Sequence, residues 1–235
     1  MNAAILLAAG KGKRMLETVS DKALAKVNGR SLFARSLAAF READLFDLLV
    51  VTYRDEEQRA RLEAEVEANA PPFPTVTFRQ GGEERRHSVW TALEAIPEEV
   101  EIVFAHDCAR PMVRADSLRL LLREAEKTGG AALARPVRDT LKRAWAADVS
   151  RAVTTGPVDR ANLWGMETPQ AFRTKLLREG MKKAFDEDVL VTDESSAIEL
   201  AGRSVTLIDP GYPNPKVTTP ADLSYVEFLL RENEK

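Results

Sequence analysis

The sequence holds one cysteine, Cys108, in 235 residues. That excludes an intrachain disulfide and a zinc site built from cysteines, and it is compatible with a reducing cytoplasm. Histidine is nearly as scarce, with two, so no His-rich metal cluster can form. Neither sign of charge is in excess: 34 Lys and Arg stand against 37 Asp and Glu, for a net charge of -3. There is no global basic field for nucleic acid, and any nucleotide site must be a local cluster. No apolar run is long enough to span a bilayer. The opening run, Ala3 to Ala9, is too short for a signal peptide and passes straight into a glycine loop. Repeats, low-complexity tracts and flexible linkers are missing as well. What is present is 44% hydrophobic and 30% charged, enough for a real core in a single α/β domain over 1–235.

Strands and helices alternate through the first half. Ala3–Ala9 and Leu48–Thr52 read as buried strands because their apolar runs are continuous, as in a sheet covered on both faces. Thr75–Phe78, Ile102–Ala105 and Ala131–Ala134 read as three more. Between them lie helices with apolar stripes, such as Phe33, Leu37 and Phe40, with Ser31 placed to cap the first. The turn Val27-Asn28-Gly29-Arg30 precedes that cap. This alternation predicts a Rossmann-like, mostly parallel doubly wound sheet, in which ligands bind beyond the C-terminal strand ends. After Pro136 the pattern breaks. Residues 138–158 read as a protruding antiparallel β-arm, with Trp145 either at a subunit contact or in local packing. Helices near Arg173–Phe185 and Asp193–Ala201, a strand at Val205–Ile208 and a closing helix at Ala221–Leu230 complete the chain.

Three loops that follow strands carry the polar groups. Ala8-Ala9-Gly10-Lys11-Gly12-Lys13-Arg14 offers bare backbone and cations, which a polyphosphate needs. It lacks the full dinucleotide fingerprint and the Walker lysine pattern, so on its own residues it is equally a basic surface turn. Lys22 adds a cation, or is a surface lysine. Gly81-Gly82 beside Glu83 and Ser88 is able to read a base edge, or is a plain strand–helix turn. His106-Asp107-Cys108-Ala109-Arg110 ends the fourth strand. There Asp107 is either a Mg²⁺ carboxylate or a turn aspartate. His106 reads as structural and Cys108 as a small packing residue. Arg160, Thr168 and Lys216 provide two cations and a hydroxyl for a second, phosphorylated substrate. Thr192-Asp193-Glu194 reads equally as a helix start.

The order of these motifs resembles the 2-C-methyl-D-erythritol 4-phosphate cytidylyltransferase family across Ala4 to Phe228. The resemblance rests on Ala8–Met15, Gly81–Val89, His106–Pro111, Val137–Arg143, Leu163-Trp164 with Thr168–Phe172, Thr192–Ala197 and Lys216–Pro220. It implies a nucleotidyltransferase fold with a β-arm that interlocks a cytoplasmic homodimer. It implies direct attack of the methylerythritol phosphate on the α-phosphorus of CTP, releasing pyrophosphate, with Mg²⁺ as cofactor and no covalent intermediate. CTP would lie on Ala8, Ala9, Gly10, Gly12, Arg14, Lys22, Gly82, Glu83, Ser88, Asp107 and Cys108. Arg14 and Lys22 would stabilise the transition state, and Asp107 would help hold the metal. Arg160, Lys216, Arg110, Thr140 and Thr168 would position the sugar phosphate.

The chain departs from that pattern in several places, among them one extra residue between Arg14 and Lys22 and Cys108 in place of a usual alanine. Asp21-Lys22-Ala23 stands where the family usually reads Pro-Lys-Gln. Asn214-Pro215 precedes Lys216 where many members carry an aspartate. Transfer to another polyol phosphate, such as ribitol 5-phosphate, and a silent nucleotide-binding scaffold are the alternative readings.

Overall fold

The computed structural model describes residues 1–10, 21–68, 73–146 and 151–233. Gly12 and Arg14 lie outside the described residues. A seven-stranded sheet is assembled from β1 (Asn2–Leu7), β4 (Leu48–Tyr53), β5 (Thr75–Gln80), β6 (Ile102–Asp107), β7 (Gly130–Pro136), β10 (Trp164–Arg173) and β11 (Thr206–Ile208). Its spatial order is β11-β7-β10-β6-β1-β4-β5. The β1–β4, β1–β6, β4–β5 and β7–β11 pairings are parallel, and only β10 runs antiparallel to its two neighbours.

The side-chain period of two sends alternate residues of each strand to opposite faces. Ala4 and Leu6 of β1 join Leu49 and Val51 of β4 in one core, with α1 (Leu32–Ala43), α2 (Glu56–Ala68) and α4 (Ala115–Thr128) packed over it. Ala3 and Ile5 join Leu48 and Val50 in the other, beneath α3 (Arg85–Glu94), α5 (Thr174–Asp186) and α6 (Glu194–Leu200). Phe33, Leu37 and Phe40 of α1 are fully buried. Truncating one such phenylalanine to alanine costs about 3–5 kcal/mol. Ser31 caps α1 by accepting from the Ala34 N–H at 3.0 Å. Ahead of it, β2 (Lys26–Val27) and β3 (Arg30–Ser31) form a hairpin closed by Asn28 and Gly29, at φ 49° and 73°. Two successive positive φ values are what a two-residue primed turn requires. α7 (Pro220–Asn233) packs through Val226 against a small cluster that holds Val27, Leu32 and Val217.

β1 has β4 on one side and β6 on the other, so the connections diverge there and open a crevice beyond the ends of β1 and β6. β8 (Lys142–Ala146) and β9 (Ala152–Pro157) pair antiparallel with each other as a separate two-stranded sheet. Trp145 and Val153 face each other across this pair and are 75% and 68% exposed.

Candidate active site

A cavity of about 480 Å³ lies over the C-terminal ends of β1, β4 and β6. Its walls include Ala8, Ala9, Gly10, Lys22, Gly82, Glu83, Ser88, Asp107 and Lys216. Loops that are remote in sequence therefore meet at one place. The end of β1 is tied down by neighbours. The Ala8 N–H donates to the Thr52 carbonyl at 3.2 Å, and the buried Gln58 amide donates to the Ala8 carbonyl at 3.1 Å.

Close approach explains the paired glycines. A Cβ on Gly81 would collide with the Ala9 Cβ and with the Ser88 hydroxyl, and one on Gly82 would collide with the His87 Cβ. The Ser88 Oγ accepts from the Gly82 N–H at 3.2 Å and donates to the Glu84 carbonyl, holding the loop against the start of α3. Lys22 lies within a turn built by Asp21. The Asp21 Oδ1 accepts from Ala23 N at 3.0 Å, and Oδ2 pairs with Arg54 at 3.4 Å. Asp21 is 5% exposed, and Arg54 lines the cavity beside Lys22.

Asp107, the last residue of β6, sits under a web of charge. Arg85 Nε reaches its Oδ1 at 3.0 Å and Lys216 Nζ reaches its Oδ2 at 2.5 Å. Arg85 also grips both oxygens of the buried Glu194, at 2.5 and 3.0 Å. Burial alone would raise the Asp107 pKa. The Arg85 and Lys216 cations outweigh it and hold the carboxyl well below the usual range, so it is ionised. Burial alone would lower the Arg85 pKa, and the Glu194 and Asp107 carboxylates reverse that. Lys216 arrives here because the Val217 N–H donates to the Ala109 carbonyl at 2.7 Å and Arg110 donates to the Asn214 carbonyl at 2.8 Å.

A second cavity of about 230 Å³ adjoins the first and shares Arg85, Asp107 and Lys216 with it. Arg110, Glu167, Thr168 and Asp193 are among its further walls. The Thr168 hydroxyl accepts from the Asp107 N–H at 3.0 Å and faces His106 Nδ1 at 3.2 Å. His106 Nε2 meets the Ser36 hydroxyl at 3.3 Å. Fully buried, the imidazole has its pKa pulled down to about 3, with Asp107 opposing in part, and it is neutral. The Glu167 carboxylate is held by Arg135 at 2.7 Å and by the Asn214 amide at 3.0 Å.

Several predicted residues lie elsewhere. Cys108 is fully buried in the core beneath α1, α2 and α4, where burial pushes its thiol pKa up, so it is no nucleophile. It does not line the first cavity. Thr140 and Arg160 are exposed and line neither cavity, and the Arg160 guanidinium donates to the Arg138 carbonyl at the foot of the β8–β9 hairpin. Sequence reasoning gave Arg54, Arg85 and Glu167 no role in the site and read Glu194 as part of a helix start.

A family model described as 2-C-methyl-D-erythritol 4-phosphate cytidylyltransferase, IspD, matches residues 2–232. This chain belongs to that family. A family member of that description from Geobacillus kaustophilus is 38% identical over 227 residues, 97% of this chain and 96% of that protein. One from Shouchella clausii is 38% identical over 234 residues, 99% of this chain and 97% of that protein. The crystal structure of the Thermus thermophilus enzyme of the same description superposes with a TM-score of 0.75 at 29% identity, covering 98% of this chain and all of the other. Among the described residues, no helix is long and apolar enough to cross a membrane.

Proposed function

We infer that this chain transfers a cytidylyl group from CTP to 2-C-methyl-D-erythritol 4-phosphate, giving 4-diphosphocytidyl-2-C-methyl-D-erythritol and pyrophosphate. The observation that carries this reading is a pair of adjoining cavities that share Asp107, Arg85 and Lys216. A nucleotidyl transfer needs two anionic substrates to meet at one phosphorus, and these cavities meet at two cations. In the larger one, Ala8, Ala9 and Gly10 supply backbone to the triphosphate, and Gly82, Glu83 and Ser88 face the base. In the smaller one, Arg110 and Lys216 face the sugar phosphate, and Thr168 on its wall braces the Asp107 backbone N–H.

An oxygen of the substrate phosphate attacks the α-phosphorus in line. The bond from that phosphorus to the bridging oxygen breaks, and pyrophosphate leaves with the electron pair. Lys22, and Arg14 by its place in the opening motif, neutralise the charge that develops on the α-phosphoryl oxygens. No activated side-chain nucleophile is required, which agrees with the inert Cys108 and the neutral, hydrogen-bonded His106.

Magnesium fits the first cavity in one respect. Asp107 is an ionised hard oxygen donor on its wall, and no group of three His, Cys, Asp or Glu exists among the described residues to cage a metal. Such an ion would be held by Asp107 and by phosphate oxygens, with water completing its shell, and would neutralise the triphosphate. The exposed Trp145 and Val153 pair suits a homodimer built through the β8–β9 hairpin. That assembly offers the means to bring Thr140 and Arg160 to a site. A cytoplasmic location suits the single buried thiol.

The test is pyrophosphate release with Mg²⁺, each of four nucleoside triphosphates, and either methylerythritol phosphate or ribitol 5-phosphate. Release with CTP and methylerythritol phosphate is expected. Release with ribitol phosphate alone would replace the acceptor, and silence with every pair would leave a nucleotide-binding scaffold.

A further inference from the structure

The proposed transfer gives Glu194 no role, although it is 1% exposed and grips an arginine shared by both cavities. We propose that Glu194 is a positioning residue. It fixes Arg85 as the permanent cation at the junction of the two cavities, and thereby leaves Lys216 as the cation that turns from Asp107 to an incoming phosphate. The inference rests on the proposed cytidylyl transfer.

The two cations on Asp107 are held very differently. Arg85 commits three N–H donors to two carboxylates, one to Asp107 and two to Glu194. A planar guanidinium held at three points has one orientation. Lys216 makes a single contact with Asp107 from a flexible stem, and its side chain is 38% exposed against 26% for Arg85. Lys216 is therefore the partner that exchanges. When an anion draws it away, Asp107 still has Arg85, so the buried carboxylate is not left alone.

Stability alone does not account for the arrangement. A buried ion pair recovers little beyond its own desolvation, and an apolar pair of similar volume is often as stable. Arg85 is also the first residue of α3, where the helix dipole disfavours a cation. Breaking a local rule without a local gain is the mark of a functional position. The four charges, Asp107 and Glu194 against Arg85 and Lys216, sum to zero. Removing the Glu194 charge leaves two cations competing for one carboxylate. Arg85 is then able to seize a phosphate in the ground state, in a place where it does not follow the reaction. Binding that is stronger in the ground state than in the transition state lowers turnover.

Equilibrium titration of CTP, together with steady-state pyrophosphate release, tests this on the whole chain. Glu194→Gln is expected to lower kcat by about tenfold or more, with the CTP Kd unchanged or up to about threefold tighter. Arg85→Lys is expected to show the same split, because one ammonium cannot span two carboxylates. The double variant should be no worse than the poorer single variant, since Glu194 acts through Arg85. A wild-type kcat in either single variant would overturn the proposal. So would parallel losses of kcat and CTP affinity, which a merely structural role produces, or multiplying effects in the double variant. Should Glu194→Gln not fold, Arg85→Lys carries the decision by the same split. An inactive wild-type protein would instead sink the proposed transfer itself.

Discussion

Acidification should weaken this fold first through His106. The hydrogen-bond chain around it suits a neutral ring. With the ring proton on Nε2, the Thr168 hydroxyl, which accepts from the Asp107 N–H, donates to His106 Nδ1. His106 Nε2 then carries the ring proton and donates to Ser36, whose hydroxyl donates to the Leu32 carbonyl at 3.3 Å. A second ring proton, on Nδ1, would require the Thr168 hydroxyl to turn its own proton away from the ring. Burial, the larger cause, lowers the pKa from 6.5 to about 3. Between those values the unfolded chain binds a proton that the folded chain does not, so stability falls as pH falls. At pH 5 the loss from this one group is about 2 kcal/mol relative to pH 7.5, or about 4–8 °C in Tm for a chain of this size. Asp107 acts in a separate window. Its folded pKa is depressed, so its contribution is intact above the unfolded value of 3.8 and is lost only below that. Urea midpoints from pH 7.5 to 4.5, at fixed protein concentration, would show the slope. His106→Gln should be less stable at pH 7.5 and flatter toward pH 5. Identical pH slopes in the two proteins, or a flat wild-type profile, would refute the assignment.

The other expectations concern the site. Asp21→Ala removes the acceptor that builds the turn around Lys22 and should cut kcat about tenfold. Asp21→Asn keeps an acceptor and should stay within about threefold, so equal losses would deny Asp21 a part in placing Lys22. Lys22→Ala should cripple turnover at unchanged urea midpoint, and unchanged turnover would remove Lys22 from the chemistry. Lys216→Ala should raise the KM for the sugar phosphate more than the Kd for CTP, and the opposite pattern would reverse the two halves of the site. Glu167→Ala should destabilise the fold by about 2 kcal/mol by stripping partners from Arg135 and Asn214, read as a urea midpoint shift.

The central strands β1, β4 and β6 were legible because burial on both faces writes itself as a continuous apolar run, as in Leu48 to Val51. β10 was not. Its text, Trp164 to Arg173, mixes Gly165, Glu167 and Pro169 into the middle of the sheet, and proline ordinarily argues against a central strand. The ladder accommodates it through a register shift between Met166 and Gln170. The glycine loops and Asp107 were legible as strand-end loops able to converge on one site, but the register that brings them together was not, since it depends on β6 pairing beside β1 with Leu7 opposite Asp107. Arg85 was hidden by its neighbour. Arg85 and Arg86 are adjacent and alike in sequence, and only the phase of α3 turns the first toward Asp107. The second goes to Glu84 and over the Phe185 ring.

That phase bears on how a chain of net negative charge presents cations to two phosphates. Unpaired, Arg85 and Lys216 would repel each other across a shared wall. Paired with Asp107 and Glu194 they form a neutral cluster that the fold tolerates. An anion then competes for a cation that is already desolvated and aimed, and the reorganisation cost is met during folding rather than during reaction. The same logic explains Asp21, which stands beside a cavity for anions where a negative charge looks misplaced. Its Oδ2 is turned to Arg54 and its Oδ1 to backbone N–H groups, so the charge orders the turn around Lys22. Asp21, Glu194 and Asp107 therefore each hold a cation or a turn in place, and of the three only Asp107 lines both cavities, where its cations come from two separate stretches of the chain.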